Sequence, residues 1–276
     1  MKARNLVVVA LLTTMVACGG KGGGSPTAPS APTPTITGLS ITPATDLIKI
    51  KASESFTATA TFSDGSSRPV QATWGTDTPG VATIDSSGRA TGVASGQATI
   101  FADYPGAQRA TRLLRVVPDY HGRWRGDWSV TACAEEGDWR GVCQEFTIGS
   151  LWLLNLTVTQ TRDTVTGTTD FGEDLPGPVT GTIRMSGHLE VSATYTVTFE
   201  GIPVEITVSN WETITTDNER MTGRLRMGMR ATGVQGSFRT DGELRIVTKT
   251  SATPLITAPS DAGNFSRAIA RIVRRR

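Results

Sequence analysis

The sequence predicts an all-β protein, a β-sandwich followed by an antiparallel up-and-down β-barrel. Three observations carry that expectation. Apolar and polar residues alternate with period two, as in Phe56, Ala58, Ala60 and Phe62 against Thr57, Thr59 and Thr61, which gives a strand one buried and one wet face. Turn-forming clusters such as Ser63-Asp64-Gly65-Ser66 punctuate these runs at short intervals. Helical periodicity is absent from Ile36 to about Val117, and beyond Asp119 the strands lengthen and their alternation becomes cleaner.

In chain order, the first element is a basic start (Lys2, Arg4) and an apolar run from Leu6 to Val16. The run is too short to span a bilayer and ends in small residues, the pattern of a cleaved signal. It closes on Met15-Val16-Ala17-Cys18, which resembles the bacterial lipobox. The resemblance implies a lipoprotein signal peptide over residues 1–17 and acylation of Cys18, which becomes the first mature residue. An ordinary secretory signal with an unrelated cysteine is the alternative. Gly19 stands where some lipoproteins carry an inner-membrane retention Asp, so the resemblance also implies a lipid-anchored protein of the outer membrane, on its periplasmic or surface face. Residues 18–35 follow with GGKGGGSPTAPSAPTPT after the cysteine. Such a Gly-then-Pro linker holds a domain roughly 30–50 Å off a membrane.

Composition fits this placement. With 276 residues, a net charge of +2 and 19% charged residues, there is material for two compact domains and no field of the kind nucleic acid requires. Three cysteines occur. If Cys18 carries lipid, Cys133 and Cys143 remain as a pair suited to an oxidising compartment. A disulfide between them would contribute about 3 kcal/mol; two reduced structural thiols are the alternative.

Residues 36–118 read as short strands. Trp74, Pro79-Gly80-Val81-Ala82-Thr83-Ile84, Gly88-Arg89-Ala90-Thr91-Gly92-Val93 and Gly96-Gln97-Ala98-Thr99-Ile100, in that order, resemble the group 2 bacterial immunoglobulin-like domain. Each piece has a physical role: Trp74 as an inter-sheet core residue, Gly88 at a turn needing positive φ, and Val81, Ile84, Val93 and Ile100 as inward strand positions. The resemblance implies a spacer, adhesive or carbohydrate-contacting module. A fold so widely reused fixes no ligand.

Residues 119–258 predict a small antiparallel barrel. Strand segments at Trp124–Ala132, Trp152–Gln160, Val179–Met185, Val191–Phe199, Ile202–Ser209, Arg220–Arg230, Val234–Thr240 and Leu244–Thr250 point to roughly eight or nine strands, enough to close a sheet on itself. Gly122-x-Trp124-x-Gly126-x-Trp128 with Val165-Thr166-Gly167-Thr168 loosely resembles the opening of lipocalin- and avidin-like barrels. That likeness implies a barrel shape and carries over no ligand residues. Outward Thr, Ser, Glu and Arg (Arg224, Arg226, Arg230) stand where a membrane-spanning barrel needs apolar groups. The expected inward set is Trp152, Leu154, Leu156, Val191, Ala193, Tyr195, Val197, Phe199, Ile202, Val204, Ile206, Leu225 and Met227. These are large, so the interior is expected to be mostly filled, with function on the loops Ala134–Val142 and Asp170–Pro178.

Catalytic constellations are thin. His121 and His188 have no second ligand at metal spacing, and no Gly-x-Ser-x-Gly elbow occurs. Glu135, Glu136 and Asp138, and Asp170, Glu173 and Asp174, lack EF-hand spacing and read as loop charge. No metal, cofactor or catalytic residue is called. Trp124, Trp128, Trp139, Trp152 and Trp211 either fill a core or line a cavity, filling being the commoner use. Trp139 is the exception. It lies in a polar loop between the paired cysteines, where exposure would make it a partner contact.

Residues 259–276 form a basic amphipathic tail, with Phe265, Ile269 and Ile272 or Val273 opposite Arg267, Arg271 and Arg274. Such a segment either lies on an anionic surface or is a frayed or docked end. The expectation is a non-enzymatic, lipid-anchored envelope protein that binds, adheres or spaces. Its partner would be an envelope polysaccharide or a surface protein. The alternative is a carrier that holds a small apolar ligand inside the barrel.

Overall fold

The computed structural model describes residues 32–171, 176–199 and 201–250. From Thr35 onward the described residues form one compact unit, a β-sandwich joined to a closed eight-stranded antiparallel barrel. The all-β class expected from the sequence is what the chain adopts.

The sandwich holds three sheets. β1 (Ile36–Thr42), β4 (Thr57–Phe62) and β5 (Ser67–Val70) pair in the order β1-β4-β5. β2 (Leu47–Lys49), β10 (Ala110–Val117), β9 (Gly96–Asp103) and β6 (Thr73–Thr76) form the order β2-β10-β9-β6. β3 (Ser53–Ser55), β8 (Arg89–Gly92) and β7 (Ala82–Ile84) make a smaller third sheet. Alternation does the sorting: Ala58 and Ala60 of β4 and Ala98, Ile100 and Ala102 of β9 face inward and are buried. Small residues at these positions let the sheets approach closely. Gly88 has φ +84°, as its turn requires.

Of the expected core positions Ile100 is buried, Trp74, Val81 and Ile84 are half-buried against the sandwich core, and Val93 alone is exposed. Trp74 is half-buried, because β6 is the edge strand of its sheet, and its indole packs beside Gly88. Val93 is exposed, since it lies past the end of β8 in a turn whose N–H bonds to the Val81 carbonyl.

The barrel runs β11 (Gly122–Glu135), β12 (Leu151–Thr161), β13 (Thr164–Asp170), β14 (Pro176–Ile183), β15 (Leu189–Phe199), β16 (Ile202–Ile214), β17 (Arg220–Ala231) and β18 (Phe238–Thr250). Each strand pairs with the next, and β18 returns to β11. Closure leaves no free edge. The segment expected at Leu244–Thr250 and the end of the one expected at Val234–Thr240 are one strand, which begins at Phe238. Asp241-Gly242 does not turn the chain; Gly242 faces inward, and any Cβ there would overlap the Trp128 ring.

Large side chains fill the barrel. Trp124, Trp128, Leu154, Leu156, Ile206 and Trp211 are all buried, and Phe171 sits between Trp128 and Trp211 with ring centroids at 6.4 and 6.0 Å. Of the expected inward set, Val197, Phe199 and Ile202 are half-buried. They lie at the tip of the β15–β16 hairpin, beyond Val204, where pairing with β17 stops.

Both ends of the barrel are corked. At one end, the loop after β11 carries two 3-10 turns (Gly137–Trp139 and Val142–Gln144) and inserts Trp139, Val142 and Phe146, all buried. At the other end sits the sandwich. Val117 and Tyr120 belong to the barrel core. The Tyr120 hydroxyl donates to the Gly187 carbonyl at 2.9 Å, with the Thr213 carbonyl at 3.1 Å, and accepts from the Thr215 N–H at 3.3 Å. Burial pushes its phenol pKa up, so it stays a donor.

Ion pairs tie the same joint. Asp119 receives Lys49 at 2.6 Å and Lys249 at 3.3 Å. Arg115 bonds Asp163 at 2.8 Å and the Ile183 carbonyl at 2.6 Å, and Arg162 reaches both oxygens of Asp46 at 2.9 Å.

Candidate functional site

Cys18, the signal, the linker up to residue 31, the tail 259–276, and Glu173 and Asp174 lie outside the described residues. Cys133 and Cys143 form a disulfide across a separation of ten residues. The loop it closes is a plug. Trp139 is 1% exposed and stacks on Phe238 with centroids 6.3 Å apart, so the expectation of an exposed partner contact there is corrected.

The physical reason lies in the loop's acids. Glu135 accepts the N–H groups of Gly141 at 2.9 Å and Cys143 at 2.8 Å, and Asp138 accepts the Gln235 N–H at 2.9 Å. Carboxylates that read as solvated charge fold the loop back on itself. That folding drops its apolar residues into the barrel mouth, where Phe146 stacks on Trp152 at 4.2 Å. His121 is exposed, and His188 Nδ1 shares a hydrogen bond with Ser186 Oγ at 2.9 Å. Among the described residues no three His, Cys, Asp or Glu side chains are gathered for a metal ion.

The candidate site lies instead on the outer wall of the barrel. A cleft of about 1130 Å³ crosses the strands from β13 to β18. Val165, Val191, Trp211 and Leu225 border it yet are at most 4% exposed, which puts the open space on the outer side of the sheet. Register lines up the outward residues in two rows. Thr164, Thr182, Glu190, Glu212, Arg224 and Glu243 are successive cross-strand neighbours. Thr166, Thr180 and Ser192 begin the second row, and Arg226 and Asp241 end it.

A convex barrel needs a cause for such a hollow. Register shifts fall between Val191 and Ala193, Ser209 and Glu212, Met221 and Gly223, and Val130 and Ala132. Bulges bend strands and increase local twist, and these lie level with the cleft, where Asn210 takes φ +48°.

One half of the cleft presents hydroxyls and the other presents charge. Arg224 bonds Glu212 at 3.0 Å, Arg226 holds Asp241 through two contacts at 2.5 and 3.2 Å, and Arg184 bonds Glu190. The Arg184 hydrogen bond holds the Glu190 carboxyl below the usual carboxylate range. A smaller cleft of about 390 Å³, lined by Glu205, Arg230 and Arg239 among others, adjoins it through Arg226. Arg224, Arg226 and Arg230 are legible in the sequence as outward charges; the register and the bulges that bring Arg224 and Arg226 together with the threonines are not.

Comparison with known proteins bears on the sandwich. Residues 35–102 match the family model of the bacterial Ig-like domain (group 2). The match covers the Ig-like sandwich through most of β9 and none of the barrel. Ice-binding protein 1 of Shewanella frigidimarina (strain NCIMB 400) is 42% identical over 69 residues, 24% of this chain and 8% of that protein. The chain therefore spans under a tenth of that relative's length. Among solved structures, domains 5–6 of the S-layer protein SbsC align at 14% identity and a TM-score of 0.28, covering 76% of this chain and 98% of that one. Domains 4–9 of the same surface layer protein align at 14% identity and a TM-score of 0.29, covering 76% and 31%. No helix among the described residues is long and apolar enough to cross a membrane.

Proposed function

We propose that this is a cell-envelope protein, tethered by lipid at Cys18, which works by contact and carries out no reaction. The linker spaces the folded part from the membrane, the Ig-like sandwich serves as the stem, and the outer cleft of the barrel meets the partner. The observation that carries this reading is the contrast between the two sides of the barrel wall: the inside is packed and corked at both ends, while the outside is hollowed over six strands. A small barrel that carries a ligand needs a mouth and an empty interior. Glu190, whose carboxyl the Arg184 hydrogen bond holds below the usual range, does not suit the part of a general acid, which needs a raised pKa. The Ig-like match and the names of the relatives agree with a surface or binding role.

Two experiments test it. Cell fractionation of Cys18→Ser is expected to move the protein from the membrane to the soluble fraction; membrane retention would overturn the tether. The soluble Cys18→Ser chain is then mixed with envelope fragments from the cells that make it. Thr180→Arg, which fills the cleft from an exposed position, is expected to lower retention at least tenfold. Unchanged retention would overturn the cleft as the contact site.

A further inference from the structure

We infer that the partner of the outer cleft is an uncharged, hydroxyl-rich polymer, a polysaccharide chain laid across the strands. The inference rests on the contact role proposed above and names its chemistry. Charge comes first. Arg184, Arg224 and Arg226 are balanced by Glu190, Glu212 and Asp241, each in an ion pair. A polyanion binds by releasing counterions to unpaired cations, and a row of neutralised guanidiniums offers it little. A polycation meets the same pairs from the other side, with Glu243 the single carboxylate of the cleft outside them.

Apolarity comes second. Val93, Leu113, Ile148, Leu151 and Met185, the exposed large apolar side chains of the described residues, are not among those that line the cleft. Protein interfaces depend on aromatic or aliphatic anchors that leave water at their centre, and small-molecule pockets are mostly apolar. This wall presents no exposed large apolar anchor among the described residues.

What it does have is hydroxyl groups and half-used polar groups in a regular arrangement. Thr164, Thr166, Thr180, Thr182 and Ser192 place hydroxyls on three neighbouring strands at steps of about 4.8 Å, that of Thr164 already donating to the Thr161 carbonyl at 2.8 Å. Each hydroxyl donates once and accepts twice, and a paired carboxylate or guanidinium keeps spare acceptors or donors. A sugar ring with several hydroxyls both gives and takes hydrogen bonds, which is what this mixture matches. Followed around the barrel wall, six strands cover an arc of roughly 24 Å, a path for a chain and not for a single ring.

The test is retention of the soluble Cys18→Ser chain on envelope fragments treated in two ways. Periodate cleaves vicinal diols of sugars, and protease removes surface proteins. Periodate treatment is expected to lower retention at least tenfold, and protease to leave it unchanged. Thr166→Glu, a second exposed substitution directly across from Thr180 on the neighbouring strand, is expected to lower retention while keeping the melting temperature of the parent chain. Loss after protease with survival after periodate would overturn the polysaccharide and point to a surface protein, while leaving the cleft as the contact site. Retention of both Thr180→Arg and Thr166→Glu at the parent level would overturn the cleft itself.

Discussion

At the scale of single residues, Tyr120 shows how one hydroxyl joins two bodies. Its ring fills the barrel core beside Trp124. Its oxygen serves the backbone of two hairpins, at Gly187 and at Thr213 to Thr215. Tyr120→Phe keeps the packing and leaves those buried groups unsatisfied, at an expected cost of about 1–3 kcal/mol. Chemical denaturation reads this as a lower midpoint with an unchanged slope; no change in midpoint would show that the hydroxyl is replaceable by water. Trp139 teaches the matching lesson about what a sequence displays. Its neighbours Glu135, Glu136 and Asp138 make the loop look wet, because composition counts charges and cannot say that Glu135 is occupied by two backbone N–H groups. The alternation that marked Leu154, Leu156, Val204 and Ile206 as inward is local, and so it was legible. The hydrogen bonds of Glu135 are a product of the folded loop.

At the scale of elements, the plug and the strands behave differently. The plug is a short loop whose apolar residues are held in the barrel mouth by one covalent link and a few backbone bonds. Replacing both Cys133 and Cys143 by Ser is expected to cost about 3 kcal/mol, from the loop entropy returned to the unfolded chain. Thermal unfolding checks it: a lower melting temperature is expected, with near-ultraviolet dichroism from Trp139 and Trp152 weakened ahead of the main transition. Unchanged melting would mean that Trp139 and Phe146 anchor the plug alone. Among the strands, period-two alternation located nearly every barrel element, yet it split β18 at Asp241-Gly242. A glycine that reads as a turn is there to admit the ring of Trp128, a long-range demand invisible along the chain. The bulges that hollow the outer wall were equally hidden, since each depends on which residue pairs with which on the next strand.

At the scale of the whole molecule, the sandwich closes one end of the barrel through a joint centred on Asp119. Burial pushes this carboxyl up, but the hydrogen bond from Lys49, the charges of Lys249 and Lys49, and the His121 N–H together hold it below the ordinary range. A depressed carboxylate pKa contributes stability that is present above the unfolded value near 4 and is lost as pH falls through the folded one. Asp119→Asn is therefore expected to melt below the parent protein at pH 7, with the gap closing as the pH drops below about 4. A gap that is the same at both pH values would assign Asp119 no electrostatic part in the joint. The central claim remains that the barrel works from its outside. Trp124, Trp128, Trp139, Trp152 and Trp211 are all buried in its core, so their fluorescence reports on anything that enters. Titration with a fatty acid such as lauric acid is expected to leave that emission without a saturable change; saturation at one ligand per chain would contradict the account and make the barrel a carrier.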